Sequence, residues 1–297
     1  MSNLSELLPT GGGQNAVDFV ATGTLTSGQT VALKTDGTVE VVSGVAESAG
    51  SPTVYHALNT TGMSIAYDAA AQKVVIAYKD TTVSQGGSAV VGTVSGATIS
   101  FGTPVIFNVA NVSTPSIGYD ATAEKVVIAY RDQGSSNYGA AIVGTVSGTA
   151  ISFGTAVVFL SAMADTFMNG GIIYEAVAGI VVIMNSGDPN YGRAIVGTVS
   201  GTSISFGTTA VFEAGQVGDV SACFDSANGV FVVAYGDVGN SSYATAIVGT
   251  VSGTSISYGT PVVFAATAYG SSQVVFDTTN GKVVVCYRDT TNSGYAT

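Results

Sequence analysis

The sequence Ala-Val/Ile-Val-Gly-Thr-Val-Ser-Gly occurs four times, at 89–96, 141–148, 194–201 and 246–253, with starts 52, 53 and 52 residues apart. Each copy leads into Ile-Ser-Phe/Tyr-Gly and then an apolar run ending at Phe107, Phe159, Phe212 or Phe264. A segment ending in an aromatic and an acid recurs five times, at Tyr67-Asp68, Tyr119-Asp120, Tyr174-Glu175, Phe224-Asp225 and Phe276-Asp277. A nearly unbroken apolar run follows each, as in Lys73 to Tyr78 and Lys125 to Tyr130. A fixed period in this range builds a fold from stacked supersecondary units, because no single unit buries its own apolar face. Each unit here holds four strands: A ending in the acid, B, C carrying Val-Gly-Thr-Val, and D ending in Phe.

There are five A–B pairs and only four clear C–D pairs. Shifting the first clear unit back by 52 places Gly96 on Gly44, Pro104 on Pro52 and Phe107 on Tyr55. Val39 to Gly44 then reads as a worn C strand, and the segment to Tyr55 as a worn D strand. The repeats become 37–88, 89–140, 141–193, 194–245 and 246–297. The last A–B pair has no C strand after it and the first C–D pair has no A–B pair before it, so the pattern predicts a ring. The expected fold is an all-β, five-bladed propeller of four-stranded repeats, in which residues 37–60 complete the blade begun by residues 270–290. An open solenoid would need polar caps at both ends, and a trimeric β-fibre is the other alternative. Residues 1–36 stand apart as an N-terminal arm. In it Thr10 to Gln14 is a linker, and the segments 18–24 and 29–34 read as strands before the turn at Asp36-Gly37. The third repeat is irregular, longer before strand A (Ser161 to Gly171) and shorter after strand B (Asn185 to Tyr191).

Composition narrows the classes. Mean hydropathy is +0.44 and charged residues make up 9%, yet the apolar residues come in runs of four to six, too short to span a membrane. Net charge is −11 with eight scattered Lys and Arg, which argues against nucleic acid and anionic membrane surfaces as partners. The N-terminus carries no basic segment followed by a long apolar one, so no secretory signal is read. Cys223 and Cys286 fall inside apolar strands and read as reduced core residues; with His56 they are too few for a structural zinc, and no metal or cofactor is expected.

Three sets of residues are candidates for chemistry. Asp68, Asp120, Glu175, Asp225 and Asp277 would form a ring of carboxylates on the innermost strands, but each precedes small turn residues, and opening the A–B hairpin is the favoured role. Lys79-Asp80, Arg131-Asp132 and Arg288-Asp289, with Asp237 alone in the fourth blade, end strand B; they read either as pairs between blades or as ligands for sugar hydroxyls. The B–C loops bring Asn137-Tyr138, Asn190-Tyr191, Tyr243 and Tyr295 beside amides and hydroxyls. An aromatic ring stacks on a sugar face while Asn and Asp bond its hydroxyls, so Asp132, Asn137, Tyr138, Asn190, Tyr191, Asp237, Tyr243, Asp289 and Tyr295 form the candidate binding set. The competing role for each Tyr is to cover the next strand. No Ser-His-Asp set is readable, and only Asp165, Asp188, Glu213 and Asp219 are acids outside the repeat pattern, so no enzyme is expected.

The run Lys125-Val-Val-Ile-Ala-Tyr-Arg-Asp132, with Asn137-Tyr-Gly, Ala141 to Thr149 and Ile151-Ser-Phe-Gly-Thr, resembles repeats of tail-fibre and virion structural proteins of marine bacteriophages, of the cyanophage kind. The opening Ser5 to Gly13, through Thr35-Asp-Gly-Thr-Val39, is similar to the start of such proteins. The resemblance implies a virion protein, made in the bacterial cytoplasm, that joins other tail proteins through residues 1–36, self-associates in the particle and contacts the host surface. The five-fold plan is also similar to five-bladed animal lectins with one sugar site per blade, which is likeness of fold alone. The expected function is glycan binding at the repeated B–C loops. The alternatives are a structural spacer or decoration protein, and a polysaccharide-cleaving propeller enzyme.

Overall fold

The structure, a computed structural model, describes residues 24, 31–36, 38–41, 50–166, 171–187, 190–290 and 295–296. The chain divides into two compact units, 1–50 and 51–297. The sequence features at 10–14, 18–23, 42–49, Asp188 and 291–294 lie outside the described residues, as do the side chains of Asp165 and Tyr295.

In the first unit Val31–Leu33 pairs antiparallel with Val39–Val41. The Asp36 carboxylate accepts from the Thr38 amide at 2.9 Å and its hydroxyl at 2.7 Å, which closes the turn, and Lys34 meets Glu40 at 2.8 Å. The segment expected as a worn C strand is thus one arm of a local hairpin. A tight turn brings its partner close at little entropic cost. The expected worn D strand is also not a strand: residues 50–59 form none.

The second unit is all β, with every strand pair antiparallel and no α-helix among the described residues. No helix of the described residues is long and apolar enough to cross a membrane. In the first sheet A is Thr60–Asp68, B is Lys73–Asp80 and C is Gly86–Ser95. D is broken into Thr98–Phe101 and Val105–Asn108, which pair with the two ends of the same strand C. The second sheet repeats this with Val112–Asp120, Lys125–Asp132, Tyr138–Ser147, Ala150–Phe153 and Val157–Thr166. In the third, A, B and C are Ile172–Glu175, Ile180–Gly187 and Tyr191–Ser200. Beyond it, D and the next A become one strand. Ala210–Asp225 pairs first with strand C of the third sheet and then with Val230–Asp237, strand B of the fourth. Val262–Asp277 does the same between Tyr243–Ser252 and Lys282–Asp289.

Strand B is apolar throughout because both its faces are covered. Val126 to Tyr130 and Ile180 to Met184 are all buried. Along strand A the two faces look to different neighbours: the Tyr119 hydroxyl reaches back to the first sheet, while a methyl group on Gly118 would meet Ile172 of the third. Side chains tie these seams. The Ser64 hydroxyl accepts from the Ile117 amide at 3.2 Å, and Ser221 accepts from Val274 at 3.1 Å. Aromatic pairs join D to the next C–D hairpin, with ring centres 5.8 Å apart for Phe107–Phe153, 5.6 Å for Phe159–Phe206 and 5.9 Å for Phe212–Tyr258. The outer faces of the first and fifth sheets are open: Ile65 is 64% exposed where its counterpart Ile117 is 6%, and Val284 is 45% exposed where Val127 is 0%. Cys286 lies on this open face and is exposed, contrary to the expectation of a core residue, whereas Cys223 is buried.

Candidate functional site

The acids that end strand A open the hairpins. Asp120 Oδ1 accepts from the amides of Thr122 and Ala123, and the two Glu175 oxygens accept from Val177 and Ala178. Asp225 and Asp277 each add the side-chain amide of an Asn three residues on, at 2.8 and 2.6 Å. These Asn amides, and then the backbone amides, hold both carboxyls below the ordinary carboxylate value against the effect of burial. Asp68 takes Ala71 N–H in the same way. The turn role that the sequence favoured is the one observed.

The acids that end strand B behave similarly at the other end. Asp132 Oδ1 accepts from Gly134 N at 3.0 Å, Asp237 Oδ1 from Asn240 N at 3.1 Å, and Asp80 Oδ1 from the Thr82 amide and hydroxyl. Lys79 does not pair with Asp80. Neighbours on a strand point to opposite faces, and the Lys79 ammonium donates instead to Asn111 Oδ1 at 2.9 Å. Burial and then the Arg131 charge lower the Lys79 pKa.

Three B–C loops turn through two successive non-glycine residues of positive φ: Ser84 and Gln85, Ser136 and Asn137, Ser241 and Ser242. Tyr138 N–H donates to Ser135 at 3.1 Å and closes a tight turn over the second pair. Asn137 (φ 61°) suits that left-handed position, a backbone role that its sequence position alone does not reveal. Strand C then starts on the aromatic, directly opposite the acid that ended strand B: Tyr138 faces Asp132, Tyr243 faces Asp237 and Tyr295 faces Asp289. Directly opposed residues share one face of the sheet, with Cβ atoms about 5 Å apart. Two of the candidate pairs, Tyr138 with Asp132 and Tyr243 with Asp237, are therefore brought together. The third sheet differs: Tyr191 faces Gly187 and lies 5.6 Å under the Arg193 guanidinium, and the exposed Asn190 accepts from Val217 N–H through its carbonyl. Asp289 is buried. Tyr138, Tyr191 and Tyr243 are half-buried, each with part of its surface open to solvent.

A further polar position escaped the sequence reading. The residue just after the D-position aromatic meets the tyrosine of the next strand B along the chain. His56 Nδ1 is 3.3 Å from Tyr78 Oη, Asn108 bonds Tyr130, and Tyr235 O–H donates to Glu213 Oε2 at 3.3 Å. In the third sheet the strand B residue in register with these tyrosines is Asn185, and the residue after the D aromatic is Leu160. Positions 56, 108, 160 and 213 follow the period of the repeat, so comparing the columns of the repeat would have exposed this change in step. Burial, then Asp80 and Tyr55, pushes Tyr78 up to about 12, and burial with Glu213 raises Tyr235 further. Among the described residues no group of His, Cys, Asp and Glu is arranged to hold a metal ion.

No family model matches the chain, and no curated protein does. Solved structures do. A protein of unknown function from Dyadobacter fermentans is 12% identical, with a TM-score of 0.53, over 77% of this chain and 75% of its own. The intramolecular trans-sialidase of Ruminococcus gnavus is 11% identical, with a TM-score of 0.45, over 69% of this chain and 46% of its own. The first likeness is one of fold alone, and the second is too distant to carry an argument.

Proposed function

We propose that this chain is a bacteriophage virion protein, part of a tail fibre or associated with the tail, that binds glycans of the host surface through its B–C loops. The observation that carries this reading is a repeated one: a half-buried tyrosine opens strand C beside the acid that closes strand B, on a loop of strained polar residues. Several weak sites of this kind raise avidity without one tight site. The role is binding, not catalysis, with residues 1–36 attaching the chain to other virion proteins and self-association in the particle adding further sites. Phage origin rests on the resemblance of the repeats described above.

The finer fold in this reading is a five-bladed propeller. Support comes from the open outer faces. Ile65 and Tyr67 stand where Ile117 and Tyr119 face a preceding sheet, and Val284 and Cys286 stand where Val127 and Ala129 are buried by a following one. In a closed ring the two faces would be the halves of one seam. In a closed ring an Ile65→Cys variant would form a disulfide with Cys286 within one chain.

A structural spacer is the second reading, favoured by the use of Asp132 and Asp237 oxygens in turn hydrogen bonds. Calorimetric titration with host cell-surface polysaccharides separates the two. Saturable binding at several sites per chain, weakened at least tenfold by Tyr138→Ala, Tyr191→Ala and Tyr243→Ala together, supports the adhesin. Absence of binding to any host polysaccharide leaves the spacer.

A further inference from the structure

In the first four sheets strand C runs along strand B in one register. Ala141 to Gly144 lie opposite Ala129 to Val126, and Ala246 to Gly249 lie opposite Ala234 to Phe231. In the fifth sheet the described part of strand C is Tyr295–Ala296, which faces Asp289 and Arg288. Among the described residues nothing pairs with Val283 to Cys286 on that side, so their backbone groups form an open edge that can template another strand.

Two features of the fourth sheet point to the same place. Phe107, Phe159 and Phe212 are 9%, 8% and 6% exposed, and each packs on an aromatic of the next C–D hairpin. Their counterpart Phe264 meets Tyr269 and Tyr287 of strands A and B, yet it is 40% exposed. Gly259 breaks strand D as Gly102, Gly154 and Gly207 do, and its amide bonds Val248 at 2.9 Å. The carbonyl of the next C–D turn lies against those three glycines, whereas a methyl group on Gly259 would find only Val248 O, 3.8 Å away. Open edge, exposed ring and open glycine are the three surfaces that a C–D hairpin covers in the other seams.

We propose that Val283 to Cys286, Phe264 and Gly259 form a docking site for a β-hairpin of a partner protein, with the chemistry of strands C and D of this repeat. Its first strand runs antiparallel to strand B and sets Ala-Ile-Val-Gly against Cys286 to Val283. The chain already begins this register, since Ala296 faces Arg288 as Ala244 faces Gly236. The fourth residue is glycine because the hairpin folds back over it: a methyl group on Gly144 would meet Val126, Ile151 and Phe153 at 2.7, 2.9 and 3.1 Å. The returning strand brings an aromatic onto Phe264, and the turn between the strands rests on Gly259. Edge hydrogen bonds supply the hold and the side-chain contacts supply the selectivity, as in other cases of strand addition. A second copy of this chain does not fit, because its four C–D hairpins are paired within their own sheets and Val39–Val41 is paired with Val31–Leu33.

A synthetic peptide with the sequence of residues 141–154, which carries no charge, is the probe. Titrated into the full chain, it should bind once per chain by calorimetry and slow hydrogen exchange at Val283 to Cys286. Gly259→Ala is the discriminating variant, because its methyl has room in the chain alone but collides with the carbonyl of a docked turn. It should weaken binding about tenfold and leave thermal unfolding of the chain alone unchanged. Phe153→Ala in the peptide should weaken binding to a similar extent. No binding, or binding that Gly259→Ala leaves intact, overturns the proposal. So does a dimer of the chain alone that Gly259→Ala dissolves, since that outcome gives the site to a second copy.

Discussion

A methyl group placed on Gly102 would lie 1.9 Å from the carbonyl oxygen of Thr149 in the neighbouring sheet. The same contact recurs between Gly154 and Thr202 and between Gly207 and Thr254. Each glycine sits at the break in strand D, where its own amide still bonds strand C, as Gly102 does with Val91 at 2.9 Å. The break is thus a socket for the next C–D turn.

Gly102→Ala, Gly154→Ala and Gly207→Ala should each destabilise the fold by about 3 kcal/mol, because the obstacle is backbone and cannot swing away. Gly259 supplies the control. A methyl group there finds only Val248 O at 3.8 Å, so Gly259→Ala should change stability by less than about 0.5 kcal/mol. Urea denaturation of the four variants measures the contrast; equal losses at all four sites would show that the socket is unimportant.

Tyr119 and Tyr174 reach back across their seams, to the Ala70 amide at 3.1 Å and the Thr122 hydroxyl at 2.7 Å. Converting either to Phe removes the hydrogen bond and leaves the ring in place. The expected cost is about 0.5–1 kcal/mol. Phe224 and Phe276 already occupy the equivalent positions of the fourth and fifth sheets. Introducing Tyr at Phe224 should therefore be tolerated, as thermal unfolding would report.

Tyr235 donates to Glu213, where the third sheet carries Asn185 and Leu160 at the corresponding positions. Glu213→Leu alone leaves the Tyr235 hydroxyl without its acceptor and should cost about 2 kcal/mol. Adding Tyr235→Phe, which removes the hydroxyl and keeps the ring, should recover at least half of that. A double-mutant cycle reads the coupling directly, and additive losses would show that the two residues act independently.

Acid should weaken the A–B hairpins of the fourth and fifth sheets. Asp225 and Asp277 are held below the ordinary carboxylate value in the folded chain, first by Asn228 and Asn280. Their contribution is full above the unfolded value near pH 4 and is lost as pH falls through the folded value. The melting temperature should stay level from pH 7 to 5 and drop below pH 4. In Asn228→Ala with Asn280→Ala the drop should be shallower. An unchanged slope would assign the acid sensitivity to other carboxylates.

Much of the strand plan is visible in the sequence, because a strand buried on both faces leaves an unbroken apolar run. Lys125 to Tyr130 is such a run, and the strand observed is Lys125–Asp132. The turn acids were legible for a local reason, since an Asp bonding amides two and three residues on needs nothing from the rest of the fold. Pairing partners were less legible. Val39–Val41 fits the repeat period, but a close turn at Asp36 captured it for Val31–Leu33. The candidate site was legible in pairs and not in function. Tyr138 opposite Asp132 follows from hairpin register, whereas the demands on Asn137 and Asp132 made by their own turn appear only in three dimensions. The Gly102 socket and the His56 contacts join residues that no local pattern connects.

The seams between sheets carry side-chain contacts, such as Ser64 to Ile117 and Ser221 to Val274, in place of a backbone ladder between successive A strands. Unequal crossing-over within the gene could therefore add or delete a whole 52-residue cassette and cut no hydrogen-bonded strand pair inside the cassettes that remain. Copy number is then free to drift faster than the cassette itself. Leu160 and Asn185, where the flanking cassettes carry Asn108 with Tyr130 and Glu213 with Tyr235, are the kind of divergence expected of cassettes that duplicated first and specialised afterwards.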